Sequence, residues 1–304
     1  MPEDPSTSAT PSPTSAASPA AATASTGPTD PTAPTFDEAE RVLWADSGAG
    51  YEAVYASLCA NTIRALLDGA AVVSDIALLD VGTGTGTVAR AALARGATVT
   101  AVDAEPSMLD LARAKAPEAE FVLAVVPDLP FEPATFDAVV GNFVLDHFGR
   151  PKVAMRALRD VAKPGGRVAF TLWPAERSAG RSVFSRAGAE TEGWVPRQMP
   201  PLVLADDYPR TEEGLAGLFR EVGLEDVTTS VIDWEQLTTA EEWWISVGSG
   251  VGPSGRTYQA QTPEVRAAFR ENYLRIAAEM TDGDGVMRLP YRALLAVGTV
   301  AEGK

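Results

Sequence analysis

The strongest constraint on the fold of this chain is an apolar segment that ends in an acidic residue and runs directly into alternating glycines. Residues 78–89 read LLDVGTGTGTVA, so that Asp80 is followed by three glycines at alternate positions. An apolar run before such glycines is typical of a buried parallel strand that turns tightly into a helix. Glycine permits left-handed backbone angles and lets a ligand approach the main chain. We therefore predict a strand–turn–helix unit with a ligand site at the turn.

A second apolar segment, residues 98–102, ends in a carboxylate. Asp103 follows it roughly 20 residues beyond the first glycine, at the spacing where a carboxylate can accept two hydrogen bonds from a ribose diol. The dinucleotide fingerprint itself is not met, because the third glycine comes one residue early and Thr87 stands where that fingerprint has glycine. The two segments together indicate a nucleoside-binding turn.

With these motifs in place, the chain resembles the class I S-adenosylmethionine (SAM)-dependent methyltransferases, whose first motif is an acidic residue followed by G-x-G-x-G. Residues 136–145 resemble the family's fourth strand and the turn after it, and the Leu-Pro-Phe at 129–131 precedes that strand as the family prefers. Residues 162–170 resemble the turn into the fifth strand. The resemblance extends motif by motif over roughly residues 76–173.

The resemblance implies an α/β fold with a Rossmann-like, seven-stranded, mostly parallel sheet and helices on both faces. We expect N-terminal helices over 36–75 that act as a lid, a cofactor-binding core over 76–173, and a substrate cover with the last strands over 174–304. Apolar spacing predicts two helices before the first strand. The sixth strand is predicted over 226–237 and the seventh over 294–300. Capping patterns predict two more helices, inserted between these strands.

Residues 1–35 consist mostly of Pro, Ser, Thr and Ala and contain no aromatic or branched aliphatic side chain. Such a segment buries too little apolar surface to offset its ordering entropy, so we predict a disordered tail. An interaction tail or a transit segment is the less favoured alternative. Thr35 and Glu38 match a capping box, so we expect the domain that binds the cofactor to begin at residue 36.

Charge and composition narrow the class of partner. The 25 basic and 41 acidic residues give a formal net charge of −16. This charge disfavours nucleic acid as a partner, because proteins bind nucleic acid largely through Lys and Arg at its phosphates. Cys59 is the only cysteine and His147 the only histidine, so we expect no metal site. No apolar run reaches the length of a membrane span. We expect a cytoplasmic protein that acts on a small molecule; whether it forms a homodimer is left open.

The resemblance implies a role for each residue of the glycine-rich turn. The backbones of Gly82, Thr83 and Gly84 would pass the methionine portion of SAM, and Asp80 would orient the turn or the amino group. Asn142, at the end of the fourth strand, would offer its backbone carbonyl beside the same end of the cofactor.

At the adenosine end, the resemblance implies that Asp103 holds the ribose while Ala104 and Met108 pack on the adenine. The chain departs from the family after its third strand, where relatives commonly have an Asp that accepts from the adenine amino group. Here Val125 occupies that position. Either Asp128 or a backbone carbonyl replaces the missing acceptor, or adenine is held less well.

Candidate residues for chemistry and acceptor binding follow the fourth and fifth strands. His147 could take a proton near neutral pH, or it could only hold the loop through hydrogen bonds. Trp173, at the carboxyl end of a strand, lies where ligands of open α/β sheets bind. Together with Trp243 and Trp244 it predicts aromatic walls around a planar, largely apolar molecule.

The leading interpretation is therefore an enzyme that transfers a methyl group from SAM to an O, N or C atom of a small molecule. It is similar to quinone-type and bacterial secondary-metabolite methyltransferases. One alternative is a methyltransferase-fold cyclase or isomerase that binds SAM without consuming it, which Val125 favours. Another is a non-catalytic SAM-binding protein. Consumption of SAM distinguishes the three.

Overall fold

A computed structural model describes residues 34–302. The tail predicted over 1–35 lies outside the described residues except at its last two positions. There the capping box predicted at Thr35 and Glu38 is confirmed, since the Thr35 hydroxyl accepts from the Glu38 N–H and the Glu38 carboxylate accepts from the Thr35 N–H. The first helix begins at the next residue after Thr35.

The described residues form seven strands and eleven α-helices. The strands are β1 Ala77–Val81, β2 Thr98–Asp103, β3 Glu120–Leu123, β4 Phe136–Asn142, β5 Ala162–Leu172, β6 Leu224–Thr238 and β7 Met287–Val300. The helices are α1 Phe36–Trp44, α2 Gly48–Ala60, α3 Ile63–Gly69, α4 Thr87–Leu93, α5 Pro106–Lys115, α6 Pro151–Asp160, α7 Ala179–Ala189, α8 Glu212–Glu221, α9 Ala240–Gly248, α10 Gly252–Gln259 and α11 Pro263–Ala278. Short 3-10 helices lie at Leu145–His147 and Leu204–Asp206.

The strands form one sheet in the order β3-β2-β1-β4-β5-β7-β6. The first five strands along the chain are mutually parallel, whereas β7 runs antiparallel to both β5 and β6. Strand order reverses between β1 and β4, the place where open α/β sheets bind ligands at the carboxyl ends of their strands. The predicted α/β fold with a mostly parallel sheet is confirmed.

Helices cover both faces of the sheet because the central strands are apolar on both sides, as buried parallel strands must be. On one face, Leu158 of α6 and Phe219 of α8 pack against Phe170. On the other, Leu66 of α3 and Ala89 of α4 belong to a separate apolar cluster. These two layers hold the carboxyl ends of the strands in fixed register.

Three sequence predictions about helices and strands were wrong in number or extent. Three helices precede β1, because the chain turns at Thr62, whose backbone N–H donates to the Cys59 carbonyl where α2 gives way to α3. Three helices, not two, lie between β6 and β7, since α10 starts at Gly252 with proline in its first turn. Strand β7 begins before the predicted residue 294. The sequence did not predict this extension because Pro290 lacks the N–H group that a central strand needs. In the structure, Pro290 nevertheless pairs with Glu235 of β6.

Within residues 34–302, the structure contains no helix that is both long enough and apolar enough to cross a membrane.

Candidate active site

A cavity of about 460 Å³ opens where the carboxyl ends of β1, β2 and β4 meet. Its walls come from the strand ends, from α1 and α2, and from the helices of the predicted cover. The cavity thus lies at the point where the strand order reverses, as the fold predicts for a ligand site.

The glycine-rich turn forms the floor of this cavity. Gly82 has φ +63°, and a Cβ built there would lie 2.3 Å from Cγ2 of Val144. Gly84 has φ +54°, and its Cβ would lie 3.5 Å from the ring of Tyr51. Only glycine adopts such angles without strain. The turn therefore presents bare backbone to the cavity.

Asp80 lies beneath the turn with 1% of its surface exposed. One carboxyl oxygen accepts from the Thr83 hydroxyl at 2.6 Å, while Oδ1 is buried with no hydrogen-bond partner in the described part of the chain. Burial raises the pKa of Asp80 to about 7. Neither Asp80 nor Thr83 lines the cavity itself; together they support the turn from below.

Asp103 stands at the end of β2 with its carboxylate fixed by two backbone N–H groups. Gly84 donates to one oxygen at 2.8 Å and Glu105 donates to the other at 2.9 Å. Each carboxylate oxygen retains a second acceptor site, so the group can still receive hydrogen bonds from a ligand. Burial raises the pKa of Asp103, against the effect of these N–H donors. The carboxylate lines the cavity.

Beyond Asp103, the wall of the cavity is mostly apolar. Ala104 and Met108 line it, as the resemblance implies, and so does Val125 at the end of β3. Asp128 is exposed and lies outside the cavity lining. Asp128 is therefore not placed to supply the missing adenine acceptor, which leaves a backbone carbonyl near Val125 or weaker binding of adenine.

Asn142 ends β4 and closes the cavity from behind the turn. Its amide oxygen accepts from the hydroxyls of Thr62 and Thr171, and its amide nitrogen donates to the Cys59 carbonyl at 3.0 Å. These partners come from α2, β5 and the turn before α3. The side chain is thereby occupied by protein groups, which leaves the backbone as the part of Asn142 available to a ligand.

His147 lines the same cavity and binds a carboxylate from α1. Its Nδ1 lies 2.8 Å from Oε2 of Glu40, and Trp44 Nε1 donates to the same oxygen at 2.9 Å. Because a carboxylate only accepts, Nδ1 carries the proton and Nε2 remains free to accept one. Burial lowers the pKa of His147, but the hydrogen bond and charge of Glu40 outweigh it and raise the pKa above its usual value.

An aromatic chamber occupies the other end of the cavity. Its rings are those of Tyr55, Phe143, Trp173, Phe184, Trp243 and Tyr291. Phe143 and Trp173 stack with ring centroids 3.9 Å apart, although Phe143 has φ +57°, an unusual angle for a bulky residue. Strain of this kind persists where surrounding structure fixes it, often beside functional sites. Here it follows β4 directly and aims the ring into the chamber.

The structure brings together most of the residues predicted from the sequence. The cavity lining includes Gly82, Gly84, Asp103, Ala104, Met108, Asn142, His147, Trp173 and Trp243. Trp244 lies outside the cavity and packs edge-on against Tyr258 and near Tyr273. No three His, Cys, Asp or Glu side chains within residues 34–302 are grouped as metal ligands.

Sequence reasoning missed Glu40, Tyr51 and Tyr291, and also the start of α10, whose Gly252 and neighbours cover the cavity. Glu40 is 9% exposed. A carboxylate on the apolar side of an amphipathic helix was the available signal, because buried acids are rare without a partner.

Residues 79–170 match the protein family described as "Methyltransferase domain". A demethylmenaquinone methyltransferase of Clavibacter sepedonicus is 40% identical over 94 residues, which are 30% of this chain and 38% of that protein. A ubiquinone biosynthesis O-methyltransferase of Xylella fastidiosa is 33% identical over 173 residues, 54% of this chain and 65% of that protein. The matching regions span only 20–65% of the length of such curated relatives.

Among solved structures, the 4+2 cyclase SpnF superposes with a TM-score of 0.50 at 17% identity, covering 89% of this chain and 98% of that one. This likeness extends over nearly all the described residues. It concerns the fold alone.

Proposed function

Because residues 79–170 match a methyltransferase domain, we propose that this chain is a class I SAM-dependent methyltransferase and transfers a methyl group from SAM to a planar, largely apolar small molecule. The observation that supports this most directly is the shared cavity. Its glycine-rich end and its aromatic end open into each other. A cofactor at the first and an acceptor at the second would therefore meet.

The residues at the strand ends fit SAM. The backbone of the turn is bare at Gly82 and Gly84, the Asp103 carboxylate is oriented with acceptor capacity to spare, and Met108 offers an apolar surface. Asp80, buried with an unpartnered oxygen, suits the neighbourhood of an ammonium group. When bound, SAM supplies an electrophilic methyl group on a sulfonium. The chain would hold it through Gly82, Gly84, Asp103 and the Asn142 backbone.

The protein's own contribution is mainly to position the acceptor and to exclude water, which can lower a barrier by several kcal/mol. The stacked rings of Phe143 and Trp173 suit one face of a planar molecule. The start of α10 and the aromatic residues of α2 line the cavity and would separate a bound acceptor from solvent.

We assign His147 as the base for acceptors that must lose a proton. Glu40 fixes the Nδ1–H tautomer and stabilises the imidazolium that forms when Nε2 takes the proton. In this proposal Glu40 is a positioning residue. A phenol, enol or protonated amine would need such a base.

The roles of the three segments of the chain follow from the same proposed function. We propose that residues 36–75 form the lid, 76–173 the cofactor-binding core and 174–304 the acceptor cover. A role in bacterial secondary metabolism, in the cytoplasm, is the setting we propose for an acceptor of this kind.

Val125 favours a second candidate, a cyclase or isomerase that binds SAM without consuming it. An apolar side chain at this place removes the expected acceptor for the adenine amino group. A protein of the same fold is named a cyclase, so the fold by itself does not require methyl transfer.

The experiment that separates the candidates is incubation with SAM carrying a labelled methyl group and a panel of planar phenols and hydroquinones. Release of S-adenosylhomocysteine together with label in an acceptor supports methyl transfer. Conversion of an acceptor with SAM left intact supports the cyclase, and the absence of both contradicts the enzymatic proposal.

A further inference from the structure

The acceptor end of the cavity carries a cation that the proposed methyl transfer does not use. Arg181, in the first turn of α7, lines the main cavity beside Tyr55 and Tyr291. It also lines a neighbouring cavity of about 300 Å³, which shares the walls Trp173, Arg181 and Tyr291 with the first. The guanidinium therefore stands where the two cavities adjoin.

Within residues 34–302, Arg181 is engaged by no carboxylate, in a chain with net charge −16. By contrast, Arg186 on the same helix binds Glu279 at 2.9 Å. In the neighbouring cavity, Arg292 binds Asp233 through two hydrogen bonds of 2.7 and 3.0 Å. An arginine left without an acid in so acidic a protein is available to a ligand anion.

Two residues that line the neighbouring cavity carry buried hydroxyl groups with no hydrogen-bond partner in the described structure. Tyr291 is 3% exposed, yet its hydroxyl has no hydrogen-bond partner in the described structure, and neither does the buried Ser178 Oγ. Gly180 permits the approach of Tyr291, since a Cβ there would lie 2.2 Å from the tyrosine oxygen. Buried polar groups normally find a partner, so these donors indicate a polar group of a ligand.

The first turn of α7 adds donors of its own. Ser178 is the N-cap residue but makes no side-chain capping bond, and the helix is 11 residues long. The N–H groups of such a turn, with the helix dipole behind them, favour a negative charge. Burial raises the pKa of Tyr291, and the neighbouring Ser178 and Arg181 oppose that effect.

We propose that the acceptor bears a carboxylate, bound by Arg181, the Tyr291 hydroxyl and the first turn of α7, while its planar body lies between the rings of the aromatic chamber. This inference rests on the proposed function, since it names the class of acceptor. A single negative charge matches the Arg181 guanidinium supported by neutral donors, whereas Arg177, which lines only the neighbouring cavity, donates to the Ser185 hydroxyl at 2.7 Å. A phosphate dianion fits less well, because Glu176 and Asp233 also line the neighbouring cavity.

The test uses 2-naphthoate and its uncharged methyl ester as probes, titrated into the full chain by calorimetry with S-adenosylhomocysteine present. We expect wild type to bind the acid about tenfold or more tightly than the ester, as for a charge-assisted hydrogen bond. Arg181→Gln should bring the ratio close to one. Tyr291→Phe, which keeps the ring, should reduce it by between about two- and tenfold.

Arg220→Gln is the matched control, since it removes the same charge from an exposed site on α8 outside both cavities. It should keep the wild-type ratio. Equal binding of acid and ester by wild type, binding of neither, or an unchanged ratio in Arg181→Gln would each overturn the inference.

A separate titration with S-adenosylhomocysteine alone keeps the two proposals distinct. A chain that binds this ligand but does not distinguish acid from ester contradicts only the carboxylate site. A chain that distinguishes them but does not bind this ligand contradicts the proposed function.

Discussion

The two ends of the cavity are assembled in different ways. The cofactor end is built from short turns that follow consecutive parallel strands, so that neighbours in sequence are neighbours in the site. The aromatic end draws single residues from elements far apart along the chain, from Tyr55 in α2 to Tyr291 in β7. The cofactor end therefore depends on backbone geometry. The aromatic end depends on side chains that separate elements contribute.

Because the two ends of the cavity are built differently, substitutions at each end should affect SAM binding differently. Changes at the cofactor end should weaken SAM binding whatever the acceptor is. Changes at the aromatic end should leave SAM binding intact. His147, which contacts Glu40 and Trp44, should affect turnover alone.

The largest expected effect is on turnover. His147→Ala should lower it by about 10²-fold or more while SAM affinity stays nearly unchanged, because proton removal matters in the transition state. The wild-type rate should rise with pH through a pKa above 6.5, since Glu40 stabilises the protonated ring. Glu40→Gln should move that rise to lower pH. A His147→Ala enzyme with normal turnover and an unaltered pH profile would leave the histidine a loop-holding role.

The next effect concerns the glycine-rich turn. Gly82→Ala places a Cβ at φ +63° and 2.3 Å from Val144, so the turn must shift and SAM affinity should fall roughly tenfold or more. Gly217→Ala on α8 is the control, because its Cβ would have no neighbour within 4 Å. Calorimetry should show normal affinity for the control. Normal affinity in both variants would mean that the turn does not contact SAM.

Asp80 supplies a prediction for the unligated protein. Its folded pKa of about 7 lies above the usual value of 3.8, so the folded state holds this proton more firmly than the unfolded chain does. The resulting stability is fully present below about pH 4 and is lost as the pH rises to about 7, at up to about 1.4 kcal/mol per pH unit.

Asp80→Asn removes this titration while retaining an acceptor for Thr83. Urea unfolding at pH 5 and pH 8 should show that wild type loses more free energy of unfolding between the two than the variant does. Parallel losses would indicate that Asp80 is ionised in both states.

The smallest expected effect concerns Val125, which follows β3 at the position where relatives commonly have Asp. Val125→Asp should tighten SAM binding by about 1 kcal/mol, or roughly fivefold, by restoring an acceptor for the adenine amino group. Asp128→Asn should change nothing, because that residue lies outside the cavity lining. Weaker binding in Val125→Asp would show that the backbone already fills this role.

The difference between the two ends of the cavity also explains which parts of the site could be predicted from the sequence. The turn at Gly82 and the carboxylate at Asp103 are local patterns, and their spacing alone predicted both their elements and their proximity. Glu40 and His147 are 107 residues apart, and only the tertiary fold, which places α1 beside the 3-10 helix Leu145–His147, brings them into contact. Trp243 and Trp244 are adjacent in sequence, but only Trp243 faces the cavity, because the orientation of α9 is set by long-range packing.

The measurement that tests the central claim most directly is calorimetric titration of SAM into wild type, Asp103→Ala and Trp173→Ala. Loss of the ribose acceptor should weaken binding by about 1–3 kcal/mol, or roughly 5- to 150-fold, whereas loss of the indole at the aromatic end should leave the affinity within about twofold of wild type. Unchanged affinity in Asp103→Ala, or an equal loss in Trp173→Ala, would contradict the assignment of SAM to the carboxyl ends of β1 and β2.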